Sequence, residues 1–282
     1  MRAEAYAKIN IALAVFPPSA DGFHPLRGIF QSVSLADIVD LSLASEDHIS
    51  VSNLEAPSDE SNLAWRAFDA ARRAARIGQP GHVAIQKRIP AGAGLGGGSA
   101  DAAAVLGMAA DRFKLERDDV VDIAEELGSD VPFSFVGGSC LAEGRGERLT
   151  QLEPLTGFAI AVVVPPFAME TPAVYARWDA LGGPEGEKIV DAHLPPSLRG
   201  GLPMRNDLYP AAVSLDERIG DWRADLSRRW GTSVAMTGSG SALFAFFGDM
   251  DEAASAAASV DVPARLAVAA EPVDRGWRRI DE

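Results

Sequence analysis

The segment Pro90-Ala-Gly-Ala-Gly-Leu-Gly-Gly-Gly-Ser-Ala-Asp101 constrains this chain more than any other, because five of the seven residues from 92 to 98 are glycine. Missing side chains let a backbone close on a ligand, and a tight turn seldom requires so many of them. The residues that follow, Ser99 to Phe113, are alanine-rich and free of breakers except Gly107, which predicts a helix. A loop of small residues running straight into a helix start offers free N–H groups and the positive end of the helix dipole, the elements of an anion site. The competing reading is a tight turn that packs a helix closely on a strand.

Gly92, Gly94 and Gly97 have the G-x-G-x-x-G spacing of a dinucleotide fingerprint, but the context is wrong for one. That fingerprint follows a fully buried parallel strand near the start of its domain. Here the preceding strand, 83–89, carries Gln86, Lys87 and Arg88, comes after residues 1–82, and is cut by Pro90. The Lys-Ser/Thr ending of a Walker A loop is also absent.

The chain's 282 residues, 47% hydrophobic, suffice for one large or two modest domains with a core that needs no disulfide or structural metal. Its 26 Lys and Arg against 40 Asp and Glu give a net charge of −14. Such a field repels nucleic acid, and no dense basic run overcomes it locally. It also opposes an anionic nucleotide, so a phosphate site has to be built from local dipoles and a few placed cations. The four histidines are widely spaced, with no Cys/His pair at zinc spacing. The lone Cys140 excludes an internal disulfide framework and reads as a small core residue. The first residues lack a signal-peptide h-region, and the longest apolar run, 158–164, is too short to span a bilayer. A cytoplasmic protein is expected, with no membrane or protein partner implied.

Residues 5–16 alternate as a strand that places Lys8 and Asn10 together, away from its main apolar face. Further strands are expected at 29–33, 38–43, 158–164, 233–236, 242–247 and 264–269, with hairpin material over 133–152. Helices are expected over 62–77 behind an Asn62 N-cap, over 118–127, from Thr171-Pro172 onward, and over 206–213, 215–229 and 251–259. A Pro/Gly-rich connector spans 184–203, and a second glycine loop lies at Thr237-Gly-Ser-Gly-Ser241. The pattern resets near Glu153-Pro154, which divides the chain into 1–154 and 155–282.

Pro90-x-x-x-Gly94-Leu-Gly-Gly-Gly-Ser99-Ala100 resembles the central motif of the GHMP kinase superfamily. Ala7-Lys-Ile-Asn-Ile11, Asp21-Gly-Phe-His24 with Gly28-Ile-Phe-Gln31, Leu127-Gly-Ser-Asp-Val-Pro-Phe133 and the 237–241 loop narrow the match. They are similar to the branch that phosphorylates a cytidine-diphosphate-linked methylerythritol in non-mevalonate isoprenoid synthesis. The resemblance runs from about residue 5 to residue 247. It implies an α+β, two-domain GHMP kinase fold with a ferredoxin-like second domain and the active site in the cleft between them. It also implies ATP and Mg2+, and phosphoryl transfer to the 2-hydroxyl of a small-molecule substrate.

On that resemblance Lys8 and Asp130 match the catalytic pair. A tertiary alcohol is a poor nucleophile until a carboxylate accepts its proton, and a lysine beside it favours the developing alkoxide. An N-cap for Asp130 and a solvated strand position for Lys8 are the structural alternatives. Pro90, Ala91, Gly92, Ala93, Gly94, Leu95, Gly96, Gly97, Gly98, Ser99 and Ala100 fall where the family holds ATP, with the Ser99 hydroxyl also available to a phosphate-bound Mg2+. Asn62 matches an adenine-side asparagine, although capping explains it equally well. Phe23, which replaces the tyrosine common in the family, His24 and Tyr175 fall where it grips cytosine, with Phe30 nearby; core packing is the alternative for Phe30 and Tyr175. Asn10 shares the face of Lys8, and Gly238 and Gly240 resemble a second backbone cradle nearer the substrate's diphosphate. Gly144-Arg-Gly146 lies on the cytidyl side. Two other readings stay open: a GHMP kinase of the homoserine or mevalonate type, and a non-catalytic nucleotide-binding protein on the same fold.

Overall fold

The apolar alternation at the start of the chain becomes a long strand, β1 (Arg2–Val15), in a computed structural model that describes residues 1–20, 22–199 and 204–280. Asp21 of the Asp21–His24 motif and residues 200–203 of the connector lie outside the described residues. β1 pairs antiparallel with β2 (Leu26–Leu43), a single strand where two short ones are predicted. No Gly or Pro interrupts residues 34–37, so the strand continues, and the misfit is absorbed by an irregularity opposite Tyr6 and Ala7. Such bulges re-aim side chains. Ala3 and Ala5 face a helical layer, whereas Ala7, Ile9 and Ile11 face a second sheet.

Around this pair the first sheet adds β3 (His48–Ser52), β4 (Gly81–Gln86), β5 (Ser139–Gly144) and β6 (Arg148–Gln151). One face is covered by α1 (Leu63–Ala74), α2 (Gly97–Phe113) and α3 (Arg117–Leu127), where Val39, Val83 and Ile85 pack on Phe68, Ala103 and Leu106. Residues 133–136, expected as hairpin, instead belong to a short helix, α4 (Val131–Val136), because Pro132 is placed in its first turn.

After β6 the chain enters the second, wholly antiparallel sheet of β7 (Ala159–Val164), β8 (Ala235–Met236), β9 (Leu243–Phe247) and β10 (Leu266–Ala270), in the order β10-β7-β9-β8. The intervening helices are α5 (Thr171–Ala180), α6 (Tyr209–Leu215), α7 (Arg218–Trp230) and α8 (Met250–Ala258), so the connectivity is a split β-α-β-β-α-β. Ile160, Val162 and Phe244 pack against Ile9, Ile11 and Leu95, making a shared core between the two sheets.

The division near 154 misses one crossing. A last strand, β11 (Trp277–Arg279), returns to pair with β1, so the end of the second segment belongs to the first sheet. Trp277 explains the glycine inside α2: a Cβ on Gly107 would collide with its indole. No helix among the described residues is long and apolar enough to cross a membrane.

Candidate active site

The glycine loop between β4 and α2 is ordered by its carbonyl groups. Ala91 O accepts from Arg265 Nη2 at 2.7 Å, Gly92 O from Met169 N at 3.3 Å and Ala93 O from Ala242 N at 3.0 Å. Gly94 O accepts from Thr237 Oγ1 at 3.3 Å, Leu95 O from Lys8 N at 2.9 Å and Gly96 O from Ala100 N at 2.9 Å. Six successive carbonyls are thus tied back into the protein, while among the described residues the N–H groups of Ala91, Gly92, Gly94, Leu95 and Gly96 find no close acceptor and Ala91–Gly92 form a tight turn. The donor edge of the loop is thus the one left largely unpaired, and an anion requires such donors. Gly92, Gly94 and Gly96 take φ of +65°, +75° and +70°, and a Cβ at Gly94 would collide with the Thr237 carbonyl. Gly96 starts α2 with no side-chain cap, leaving the N–H groups of its first turn to a ligand.

Not every loop residue faces that edge. Ala93 and Leu95 are buried in the core between the sheets, and Ala100 is buried under α1, so these three offer a ligand only backbone. Pro90 is buried, Ala91, Gly92 and Gly98 are exposed, and Gly97 and Ser99 are half-buried. Asn62 acts as a cap: Oδ1 accepts from Ala64 N at 2.9 Å, and Nδ2 donates to Pro57 O at 2.7 Å. Its neighbour Leu63 lies 3.8 Å from where a Cβ on Gly98 would sit, so that cap stands at the rim of the loop.

Lys8 and Asn10 do leave the main apolar face of β1, but not for solvent; both are buried. Lys8 Nζ donates to Asn10 Oδ1 at 2.7 Å and lies 3.3 Å from Asp130 Oδ2. Its stem runs under the glycine loop, where a Cβ on Gly96 would come within 2.9 Å of Lys8 Cγ. Asp130 occupies the N-cap position of α4, yet its carboxylate caps nothing. One third of that side chain is solvent-accessible (33%), which leaves it open to the cleft beside the Lys8 ammonium. Opposite stands Gly146, where a Cβ would be 3.9 Å from Asp130 Oδ1.

Phe30, expected near the substrate, is buried at 1% exposure and packs edge-on against Phe133. It forms the floor under Lys8, whose Nζ sits 5.1 Å from the ring centroid. Of the other aromatics, His24 and Tyr175 stand together, while Phe23 packs elsewhere against Arg145. His24 lies 5.0 Å from Tyr175 and 5.6 Å from Trp178, and its Nε2 is 2.9 Å from Asp179 Oδ1. Phe23 is half exposed, with the Arg145 guanidinium 3.9 Å over its ring. Burial, with the charge of Asp130 behind it, pushes the Tyr175 hydroxyl up to about 12.

The second glycine loop departs from expectation. Thr237 to Ser241 is buried throughout, and a Cβ on Gly240 would meet Met236, Ile219 and Met169, so that glycine faces the core rather than a substrate. Gly238 faces the site, 3.2 Å from Gly94 Cα and 3.3 Å from Asn10 Oδ1 as measured from its would-be Cβ. Thr237 Oγ1 accepts from Asn10 N at 2.9 Å, which joins the loop to β1. Sequence reasoning missed what holds this loop. Asn206, expected to open a helix but lying just before α6, donates from Nδ2 to Met236 O and Gly238 O, each at 2.8 Å. The adjacent Leu13 N to Arg205 O and Asp207 N to Leu13 O bonds stitch it to β1.

Residues 62–138 match the family described as GHMP kinases N terminal domain. The 4-diphosphocytidyl-2-C-methyl-D-erythritol kinase of Clostridium acetobutylicum is 34% identical over 263 residues, covering 90% of this chain and 93% of that protein. The protein of the same name from Moorella thermoacetica is 38% identical over 261 residues, covering 88% and 90%. A crystal structure of 4-(cytidine 5'-diphospho)-2C-methyl-D-erythritol kinase aligns with a TM-score of 0.78 at 34% identity, covering 96% of this chain and 99% of that one. Homoserine kinase from Cytophaga hutchinsonii, at 16% identity and a TM-score of 0.68 over 99% and 96% of the two chains, shares the fold.

Proposed function

The chain belongs to the 4-diphosphocytidyl-2-C-methyl-D-erythritol kinase family of the GHMP kinases, and from that premise we propose that it transfers the γ-phosphoryl group of ATP to the 2-hydroxyl of 4-diphosphocytidyl-2-C-methyl-D-erythritol. The observation that carries this reading is the meeting of an open N–H edge with the Lys8–Asp130 pair. An anion site alone binds; an anion site that abuts a carboxylate and an ammonium can move a proton and a phosphoryl group.

The phosphates of ATP lie along the N–H edge from Gly92 to Ser99 and against the start of α2. Asp130 accepts the proton of the acceptor hydroxyl, whose oxygen bonds to the γ-phosphorus as the bond to the ADP oxygen breaks. Lys8, held by Asn10, places its positive charge where the alkoxide develops. Magnesium fits the hydroxyl of Ser99, a hard oxygen donor in the first turn of α2, and would offset charge on the transferring group. Phe23, His24 and Tyr175 take the cytosine, and stacking on them is worth roughly 1–3 kcal/mol. A small aliphatic alcohol such as homoserine or mevalonate gives those rings nothing to stack on. Gly238 lines the space between base and hydroxyl.

The test compares ATP-dependent phosphorylation of the cytidyl substrate, mevalonate and homoserine by the purified protein. Turnover of the cytidyl substrate with the other two silent is expected. Turnover of only mevalonate or homoserine would overturn the acceptor, and ATP binding with no turnover of any would overturn the enzyme.

A further inference from the structure

Beneath the glycine loop lies a buried group of charges that the phosphoryl-transfer chemistry does not use. Lys87 Nζ donates to Asp37 Oδ2 at 2.5 Å and to Asp101 Oδ2 at 2.7 Å, and all three residues are at most 3% exposed. Asp37 reaches from β2, and its Oδ1 accepts from Arg88 N at 2.5 Å and Ile89 N at 2.9 Å, the last residues before the loop. Asp101 stands just inside α2, on the arm leaving the loop. Gly97 lies between the arms, where a Cβ would come within 3.2 Å of Lys87 Nζ. The trio therefore ties the entering arm to the leaving arm below the donor edge.

We propose that Asp101 is a positioning residue for the nucleotide: through Lys87 and Asp37 it fixes the spacing of the two arms so that the N–H groups between them converge on phosphate. This rests on the reading of the loop as the ATP site. The charges of the trio support it. One lysine balances one of two carboxylates, and Asp101 Oδ1 has no hydrogen-bond partner. Burial holds the Asp101 carboxyl well above the usual carboxylate range. A side-chain amide at 101 has nearly the shape of the carboxyl and keeps an oxygen for Lys87 Nζ.

The experiment measures ATP binding by calorimetry, without acceptor, in the parent protein and in Asp101→Ala and Asp101→Asn. Asp101→Ala cuts the tie to α2 while leaving Lys87 and Asp37 a balanced pair. It is expected to raise the Kd for ATP about tenfold, since sites loosened by a fraction of an ångström lose that order of affinity. Asp101→Asn, which keeps an oxygen for Lys87, is expected to restore binding to near the parent value, and KM for the acceptor stays unchanged in both. If the alanine void prevents folding, Asp101→Leu fills it without supplying an oxygen and is held to the same expectation. Parent-like ATP affinity in Asp101→Ala or Asp101→Leu overturns the proposal, as does an Asn variant no better than Ala. A parent protein that binds no ATP overturns it together with the kinase reading, and is told apart by that result.

Discussion

The two glycine loops of this protein are both built of small residues, yet their backbone groups are used differently. Between β4 and α2, six carbonyls are tied back and the N–H edge is open, with Gly92 and Gly98 exposed. Between β8 and β9, the loop is buried end to end, its Gly238 carbonyl is gripped by Asn206, and Gly240 N turns back onto Thr237 O at 3.0 Å. The difference arises from the element into which each loop leads. The first feeds a 17-residue helix whose unpaired N–H groups extend the donor edge, whereas the second feeds a central strand that uses its own groups in the sheet. Glycine supplies freedom in both places; the neighbours decide whether that freedom is spent on a ligand or on packing. The buried loop then supports the open one, through Thr237 on Gly94 and on Asn10.

The sharpest separation of binding from chemistry comes from Asp130→Asn. With the donor edge intact and the base removed, kcat is expected to fall about 10²–10⁴-fold, while ATP affinity by calorimetry stays near the parent value. Paired alanine substitutions then test the loops against each other. In Gly96→Ala a side chain enters at φ +70°, 2.9 Å from Lys8 Cγ, and kcat/KM is expected to fall about 100-fold. In Gly240→Ala it enters at φ +88°, 2.9 Å from Met236 Sδ, and the expected loss is about 1–3 kcal/mol of stability with ATP affinity retained. Equal weakening of ATP binding by both would erase the distinction.

Asn206→Ala acts on the brace of the buried loop. It strips the partner from Met236 O and Gly238 O, so unfolding by denaturant should show a loss of about 1–3 kcal/mol, with a smaller effect on ATP affinity than Gly96→Ala. The smallest effect is expected at Cys140, buried in β5, where burial disfavours the thiolate and pushes its pKa up to about 11. Below that value the thiol stays protonated, so alkylation at pH 8 in the folded protein should be far slower than in the unfolded chain.

Local chemistry made much of this legible in sequence. The glycine run, the alanine-rich helix behind it and the shared face of Lys8 and Asn10 are all set by residues within a few positions of one another. The site's other half was legible by motif, since Asp130 shows nothing by spacing alone. What escaped was non-local. Lys87 reads as a polar residue in a strand, and nothing nearby announces that Asp37 from β2 and Asp101 from α2 close around it. Asn206 reads as the start of a helix, and nothing nearby announces that its side chain reaches Gly238. Trp277 pairs its strand with β1 and fits against Gly107, a contact that makes a helix glycine intelligible only in three dimensions. Phe30 is both buried and beside Lys8, so its two readings, core packing and a place near the substrate, are not exclusive, which the sequence alone does not show.

The central claim is that the first loop's N–H edge holds the nucleotide and the second loop does not. It is tested most directly by amide NMR of glycine-labelled protein titrated with ATP. Large downfield shifts at Gly92, Gly94, Gly96, Gly97 and Gly98, with Gly238 and Gly240 moving little, are the expected result. Shifts concentrated at Gly238 and Gly240, or none at either loop on ATP binding, would contradict it.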